Sequence, residues 1–223
     1  MSRRPIIAID GPSGAGKGTV ARTLAERLHY RHIDTGAMYR AVAWKAQHDD
    51  IQLSDVDAVA HVAERAAFDL DGRVAIDGHD VTQAIRTPAI DEAAAIVARH
   101  PRVRVALVER QRRYGAKGAV VMEGRDIGTV VFPDADVKLY LDASPAERAR
   151  RRAEDAARAA SRQSGAIDRV ARALEDRDRA DRTRAVSPLT IAADAVYVDT
   201  TGMAIDDVVK RVVTIVNEKL TML

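Results

Sequence analysis

The chain has 223 residues, 24.2 kDa, with 35 Lys and Arg against 33 Asp and Glu for a net charge of +2. That length suits one α/β domain with room for a small inserted module, and a charge so near zero does not imply a general nucleic-acid-coating role. Eight aromatic residues exclude a base-stacking platform, and the absence of Cys excludes disulfide frameworks, thiolate zinc sites and cysteine nucleophiles.

In chain order, the first strand is expected over 5–10, followed by a glycine-rich turn and a helix over 17–29. A second strand follows over 31–35. Residues 67–86 break the alternation. Two alternating segments joined by Asp71-Gly72 read as a hairpin, either in an inserted antiparallel module over about 60–95 or at the edge of the main sheet. A helix is expected over 101–114, strands over 119–123 and 137–142, a helix over 145–160, a strand over 195–200 and a terminal helix over 205–220. Continuous Val, Ile and Leu runs alternating with helices predict a doubly wound α/β fold with a five-stranded parallel sheet, the strands buried on both faces. Residues 148–184 hold 12 Arg and seven acidic residues without a wide apolar stripe, so this stretch is expected to be exposed and mobile. No segment approaches 18 consecutive apolar residues, and the expectation is a soluble, cytoplasmic protein that binds neither membrane nor nucleic acid.

Chemistry is carried first by Gly11-Pro12-Ser13-Gly14-Ala15-Gly16-Lys17-Gly18-Thr19. The spacing G-x-x-x-x-G-K between a strand and a helix is that of a P-loop. Its glycines let consecutive backbone N–H groups face a polyphosphate, the helix start favours the anion, and Lys17 reaches the β and γ phosphates of ATP. Gly18 stands where the general motif has the hydroxyl that holds Mg²⁺. The metal is then held by Thr19, or mainly through water and phosphate oxygens. A second set of charged groups follows: Asp34 to Arg40 after the second strand, Arg102 and Arg104 at a helix start, Glu123-Gly124-Arg125-Asp126 closing the third long strand, and Arg177, Asp181 and Arg184 spaced to share a helix face. Two charged substrates held with their phosphates in line need such groups. The alternatives are a kinase of another small acceptor, such as shikimate or thymidylate, and a regulatory P-loop protein that only binds or hydrolyses nucleotide.

Together these segments resemble the bacterial cytidylate kinases, a nucleoside monophosphate kinase family. The resemblance runs from IAIDGPSGAGKGT through DTGAMYR, IRT, PRVR, EGRDIGTVVFPDADVKLYLDAS and DRTRAVSPL to the terminal helix. It implies transfer of the γ-phosphoryl of MgATP to CMP or dCMP by a monomeric chain with a monophosphate-binding insert and an Arg-rich lid over 147–168. By that resemblance Arg40, Arg125 and Arg184 serve the acceptor phosphate, and Arg104 with Asp126 reads the cytosine edge. Arg177 and Asp181 hold the sugar, while Thr35 and Tyr39 line the site. Lys17, Arg125, Arg177 and Arg184 stand as the catalytic group. Arg148 and Arg152, at i and i+4, are expected to close over ATP, and Glu123 takes the place of the acidic residue that orients Mg²⁺-bound water. The family often carries a Ser just before PRVR, whereas 91–98 here reads DEAAAIVA. The six histidines read as surface or packing residues, and Trp44 and Tyr114 as core or interface residues on helices.

Overall fold

A computed structural model describes residues 4–159 and 166–222. The chain divides into two compact units: Met1–His32 with Lys117–Leu223, and Ile33–Ala116.

The first unit is built on a parallel sheet. Strand β1 (Ile6–Asp10) leads through the glycine-rich loop into α1 (Lys17–Leu28), and the chain passes into β2 (Arg31–Asp34). After the second unit come β6 (Val120–Glu123), a π-helical turn (Ile127–Val131), β7 (Val137–Asp142), α6 (Pro145–Ala159), α7 (Ala166–Thr183), β8 (Val196–Asp199) and α8 (Ile205–Thr221). The five strands lie in the order β2-β6-β1-β7-β8, and the registers of β1 on β6, β1 on β7 and β7 on β8 are parallel. Burial follows that order. Central β1 and β6 are buried at every residue, whereas the edge strands β2 and β8 bury one residue each, which is why RHID and VYVD carry more polar residues than IIAID and VVME. Leu24, Val20, Leu139, Val198, Val212 and Val216 belong to one aliphatic core joining α1, the sheet and α8.

The second unit comprises α2 (Thr35–His48), α3 (Val56–Arg65), β3 (Phe68–Asp69), β4 (Ala75–Ile76), β5 (His79–Asp80), α4 (Pro88–Val97) and α5 (Pro101–Gly115). Its three short antiparallel strands form a sheet of their own, apart from the five-stranded one. Strand β5 was not legible because His79 and Asp80 are both exposed and carry no alternation. Small residues let α2 pack closely. Ala37, Ala41, Ala43 and Ala46 are buried in a core with Ile76, Ile85 and Leu107, and Trp44 packs against it. Asp34 starts α2 by accepting from the Ala37 N–H, and Thr87 starts α4 by accepting from that of Ile90.

The expectation of exposure over 148–184 is overturned at four described positions: Arg148, Ala149, Leu174 and Asp178 are buried. Arg148 and Asp178 face each other as an ion pair, so α6 and α7 enclose charge where a stripe of aliphatic residues was sought. Residues 160–165 of the expected lid lie outside the described residues.

Candidate active site

The P-loop begins where the all-buried strand β1 ends. Gly11, at φ +144°, passes so close to β7 that a Cβ there would lie 1.9 Å from the Leu141 carbonyl oxygen. Gly16 enters α1 in the left-handed region, a conformation that L side chains resist. Lys17 follows, buried, with its Nζ donating to the Pro12 carbonyl at 2.7 Å. Burial, aided by the positive charge of Arg125, pushes Lys17 down to about 7, against the opposing pull of the Glu123 and Asp10 carboxylates. A polyphosphate placed beside it would restore the ammonium.

Asp10 ends the apolar strand β1. It is buried, and its carboxylate accepts from the N–H groups of Ile127 and Gly128 at 2.8 and 2.7 Å. Those two bonds anchor the turn directly after Asp126 to the end of β1. Burial raises Asp10 to about 6, although both N–H groups favour the charged form. A carboxylate ending a wholly apolar strand was the available signal.

Glu123 closes β6 and lies 3.0 Å from the Nε2 of His32. His32 is therefore more than the surface or packing residue expected. The Glu123 carboxylate also faces α1, since a Cβ on Gly18 would sit 3.2 Å from its Oε1. Thr19 lies exposed on the helix. The structure thus sets the acidic group opposite Gly18, with Thr19 turned to the exposed side of the helix, because successive helical residues point about 100° apart.

Beside Glu123, Arg125 donates from Nε to Asp181 Oδ2 at 3.0 Å, and Arg184 Nη1 lies 3.3 Å from Asp181 Oδ1. Asp181 is the shared counter-ion of two guanidinium groups. Burial opposes its charge, but Arg125, Arg184 and Arg177 outweigh that and hold it below the usual carboxylate range. Burial likewise opposes the charge on Arg125, which Asp181, Asp178 and Glu123 overcome, raising it. The spacing argument for Arg177, Asp181 and Arg184 holds in substance, with α7 ending at Thr183 and the Arg184 N–H still bonded to the Ala180 carbonyl. Asp126 is buried at the mouth of the π-helical turn.

Arg148 departs from the picture of an exposed lid cation. It is 4% exposed, donating from Nε to the Ala143 carbonyl and from Nη1 to the Ser13 carbonyl and to Asp178. Arg152, one turn on, is exposed. The two arginines share a helix side in the sequence but not an environment.

The second unit holds Thr35, Tyr39, Arg40 and Arg104. Thr35 and Arg104 are buried, and the Arg104 guanidinium lies over the Tyr39 ring at 5.5 Å. Arg40 Nη2 donates to Asp34 Oδ2 at 2.7 Å, and its Nη1 lies 4.0 Å from Asp91. Asp34 therefore caps α2 and orients Arg40 at once, a double duty that the DTGAMYR spacing did not reveal.

Among the described residues no helix is long and apolar enough to cross a membrane. The cytidylate kinase family model matches residues 7–218. A cytidylate kinase of Desulfitobacterium hafniense (strain Y51) is 47% identical, covering 99% of this chain and 96% of its own length. Another, of Pelotomaculum thermopropionicum, is 49% identical, covering 96% of each. An uncharacterized protein from Eubacterium ventriosum shares the fold with TM-score 0.52 at 12% identity, covering 96% of this chain and 99% of that one. A match that spans the P-loop, the GRD turn and the acidic and basic residues of α7 leaves one placement: the chain belongs to the cytidylate kinase family of nucleoside monophosphate kinases.

Proposed function

We propose that this protein transfers the γ-phosphoryl group of MgATP to the 5′-phosphate of CMP or dCMP, in line and without a covalent enzyme intermediate. The observation that carries the reading lies within the first unit. A glycine-rich loop with a buried, charge-starved Lys17 stands with the Arg125–Asp181–Arg184 cluster around the carboxyl end of β6. One part receives a polyphosphate on main-chain amides, the other an acceptor phosphate on guanidinium groups. A protein that merely binds or hydrolyses nucleotide has no use for the second.

Lys17, Arg125, Arg177 and Arg184 neutralise charge on the migrating phosphoryl group and the acceptor phosphate, and positioning with electrostatics supplies the acceleration. No general base is needed, because the acceptor phosphate is already largely ionised near pH 7. Asp126 with Arg104 reads cytosine, a carboxylate for the amino group and a guanidinium for the ring acceptors. Thr35, Tyr39 and Arg40 complete the monophosphate side and Arg177 with Asp181 the sugar side. Residues 60–95 serve as the monophosphate-binding insert and 147–168 as the lid, with Arg152 as the lid cation for ATP. The donor set fits Mg²⁺, a hard cation that takes oxygen ligands and keeps several waters: Glu123 offers a carboxylate opposite Gly18, where no side chain intervenes. When bound, the ion supplies charge neutralisation on the phosphate oxygens. The resemblance also implies a monomeric, cytoplasmic chain, which sedimentation and fractionation test.

The deciding experiment is a panel of CMP, dCMP, UMP, AMP and dTMP with MgATP, repeated on Asp126→Ala. The expected order is CMP and dCMP above UMP, with AMP and dTMP inactive, and loss of the preference in the variant. Equal turnover of UMP by the wild type refutes the base-reading assignment. Failure of CMP to bind in calorimetry returns the protein to the regulatory class.

A further inference from the structure

Arg148 and Asp178 hold one residue of the phosphate loop by both of its main-chain groups. The Ser13 N–H donates to Asp178 Oδ1 at 3.3 Å, and Arg148 Nη1 donates to the Ser13 carbonyl at 3.1 Å. Asp178 Oδ2 accepts from the same Arg148 nitrogen, which closes a ring of hydrogen bonds through Ser13. Arg148 is further fixed by its Nε bond to the Ala143 carbonyl at 3.0 Å. Both charged side chains are nearly sealed from water, at 4% and 1% exposure. The next loop residue fits only as glycine: Gly14 has φ +79°, and a Cβ there would lie 3.0 Å from the Arg148 Cβ and 3.1 Å from its carbonyl oxygen.

Stability alone gives little reason to bury such a pair. Replacement of a buried ion pair by packed apolar residues is often neutral or stabilising, because the charges lose their hydration. The distinctive feature here is the target. Besides the Ala143 carbonyl, the two charges meet both the N–H and the C=O of one residue inside the anion-binding loop. A carbonyl engaged by a guanidinium cannot turn toward a polyphosphate, where it would repel the phosphate oxygens. An N–H engaged by a carboxylate fixes the orientation of the preceding peptide. The loop is then set in one conformation before the donor arrives, and less ordering remains to be done on binding.

We propose that Arg148 and Asp178 are positioning residues that clamp Ser13 and hold the phosphate loop in its donor-binding conformation. The clamp also gives α7 a hold on the donor loop, since Asp178 lies between Arg177 and Asp181, both assigned to the acceptor side. The proposal rests on the reading that this loop receives ATP.

The test uses the full-length protein with Arg148→Met and Asp178→Leu combined, which removes both charges together and leaves neither partner buried alone. Melting temperature, ATP and CMP dissociation constants by calorimetry, KM and kcat, and amide exchange at Ser13 and Gly14 are measured. The expected result is a melting temperature at or above that of the wild type, ATP binding weakened at least tenfold, CMP binding without ATP changed less than threefold, and faster exchange at the two loop amides. Asp178→Asn keeps an oxygen for the Ser13 N–H but drops the charge that holds Arg148, so ATP binding weakens about threefold. Should the double variant fail to fold, this single variant decides. Unchanged ATP affinity and loop exchange in a folded variant overturn the clamp. A wild type that does not bind ATP overturns instead the functional reading beneath it, and the loop exchange then still reports on the clamp.

Discussion

Lys17→Met is expected to make the ligand-free protein more stable while abolishing phosphoryl transfer. Lys17 moves from its ordinary 10.5 to about 7 in the folded chain. At about 1.36 kcal/mol for each tenfold change in proton binding, keeping the ammonium charged costs the fold about 5 kcal/mol. The unfolded chain binds the extra proton between pH 7 and 10.5, so this cost is fully present below pH 7 and disappears as pH rises toward 10.5. Methionine keeps the unbranched stem and removes the charge. It also removes the 2.7 Å bond to the Pro12 carbonyl, and an unsatisfied buried acceptor costs about 1–3 kcal/mol. The net gain is then about 2–4 kcal/mol at pH 6. By pH 9 only about 2 kcal/mol of the charge cost remains in the wild type, and the two proteins become nearly equal. Urea unfolding of both at pH 6 and pH 9 measures this, and ATP addition should raise the stability of the wild type far more than that of the variant. A variant less stable than the wild type at pH 6, or a difference independent of pH, refutes the argument that this loop carries a charge its own surroundings do not compensate.

Three further outcomes are expected. Asp126→Asn should lower the preference for CMP over UMP about tenfold or more in a coupled ADP-release assay, since a buried group left without a matching partner costs about 1–3 kcal/mol. Asp181→Asn removes the shared counter-ion of Arg125 and Arg184 and should raise the KM for CMP about tenfold or more while leaving ATP affinity within threefold, because charged hydrogen bonds contribute about 1.5–3 kcal/mol. Gly11→Ala should destabilise the protein by more than about 3 kcal/mol in thermal unfolding, because its Cβ would meet the Leu141 carbonyl oxygen at 1.9 Å and the strand and loop must separate to admit it.

Local pattern determined much of this protein. Continuous aliphatic runs named the three inner strands, because a strand flanked by two others and covered on both faces has no polar side to show. The glycine spacing located the phosphate loop, since a turn that aims consecutive N–H groups inward requires residues without Cβ atoms at fixed intervals. The separation of Arg177, Asp181 and Arg184 placed them together, because 3.6 residues per turn is a property of the backbone alone. Tertiary structure alone decided what those groups face. Asp10 and Ile127 lie 117 positions apart, Ser13 and Asp178 lie 165 apart, and His32 and Glu123 lie 91 apart, so no periodicity connects them. Arg148 shows the difference most plainly. By composition it is one cation among many on a charged helix, and only the packing of α6 and α7 around the end of β1 turns it into a buried donor to the phosphate loop. Hydrogen bonds and desolvation depend on distance in space, and for these residues that distance is set by the sheet order.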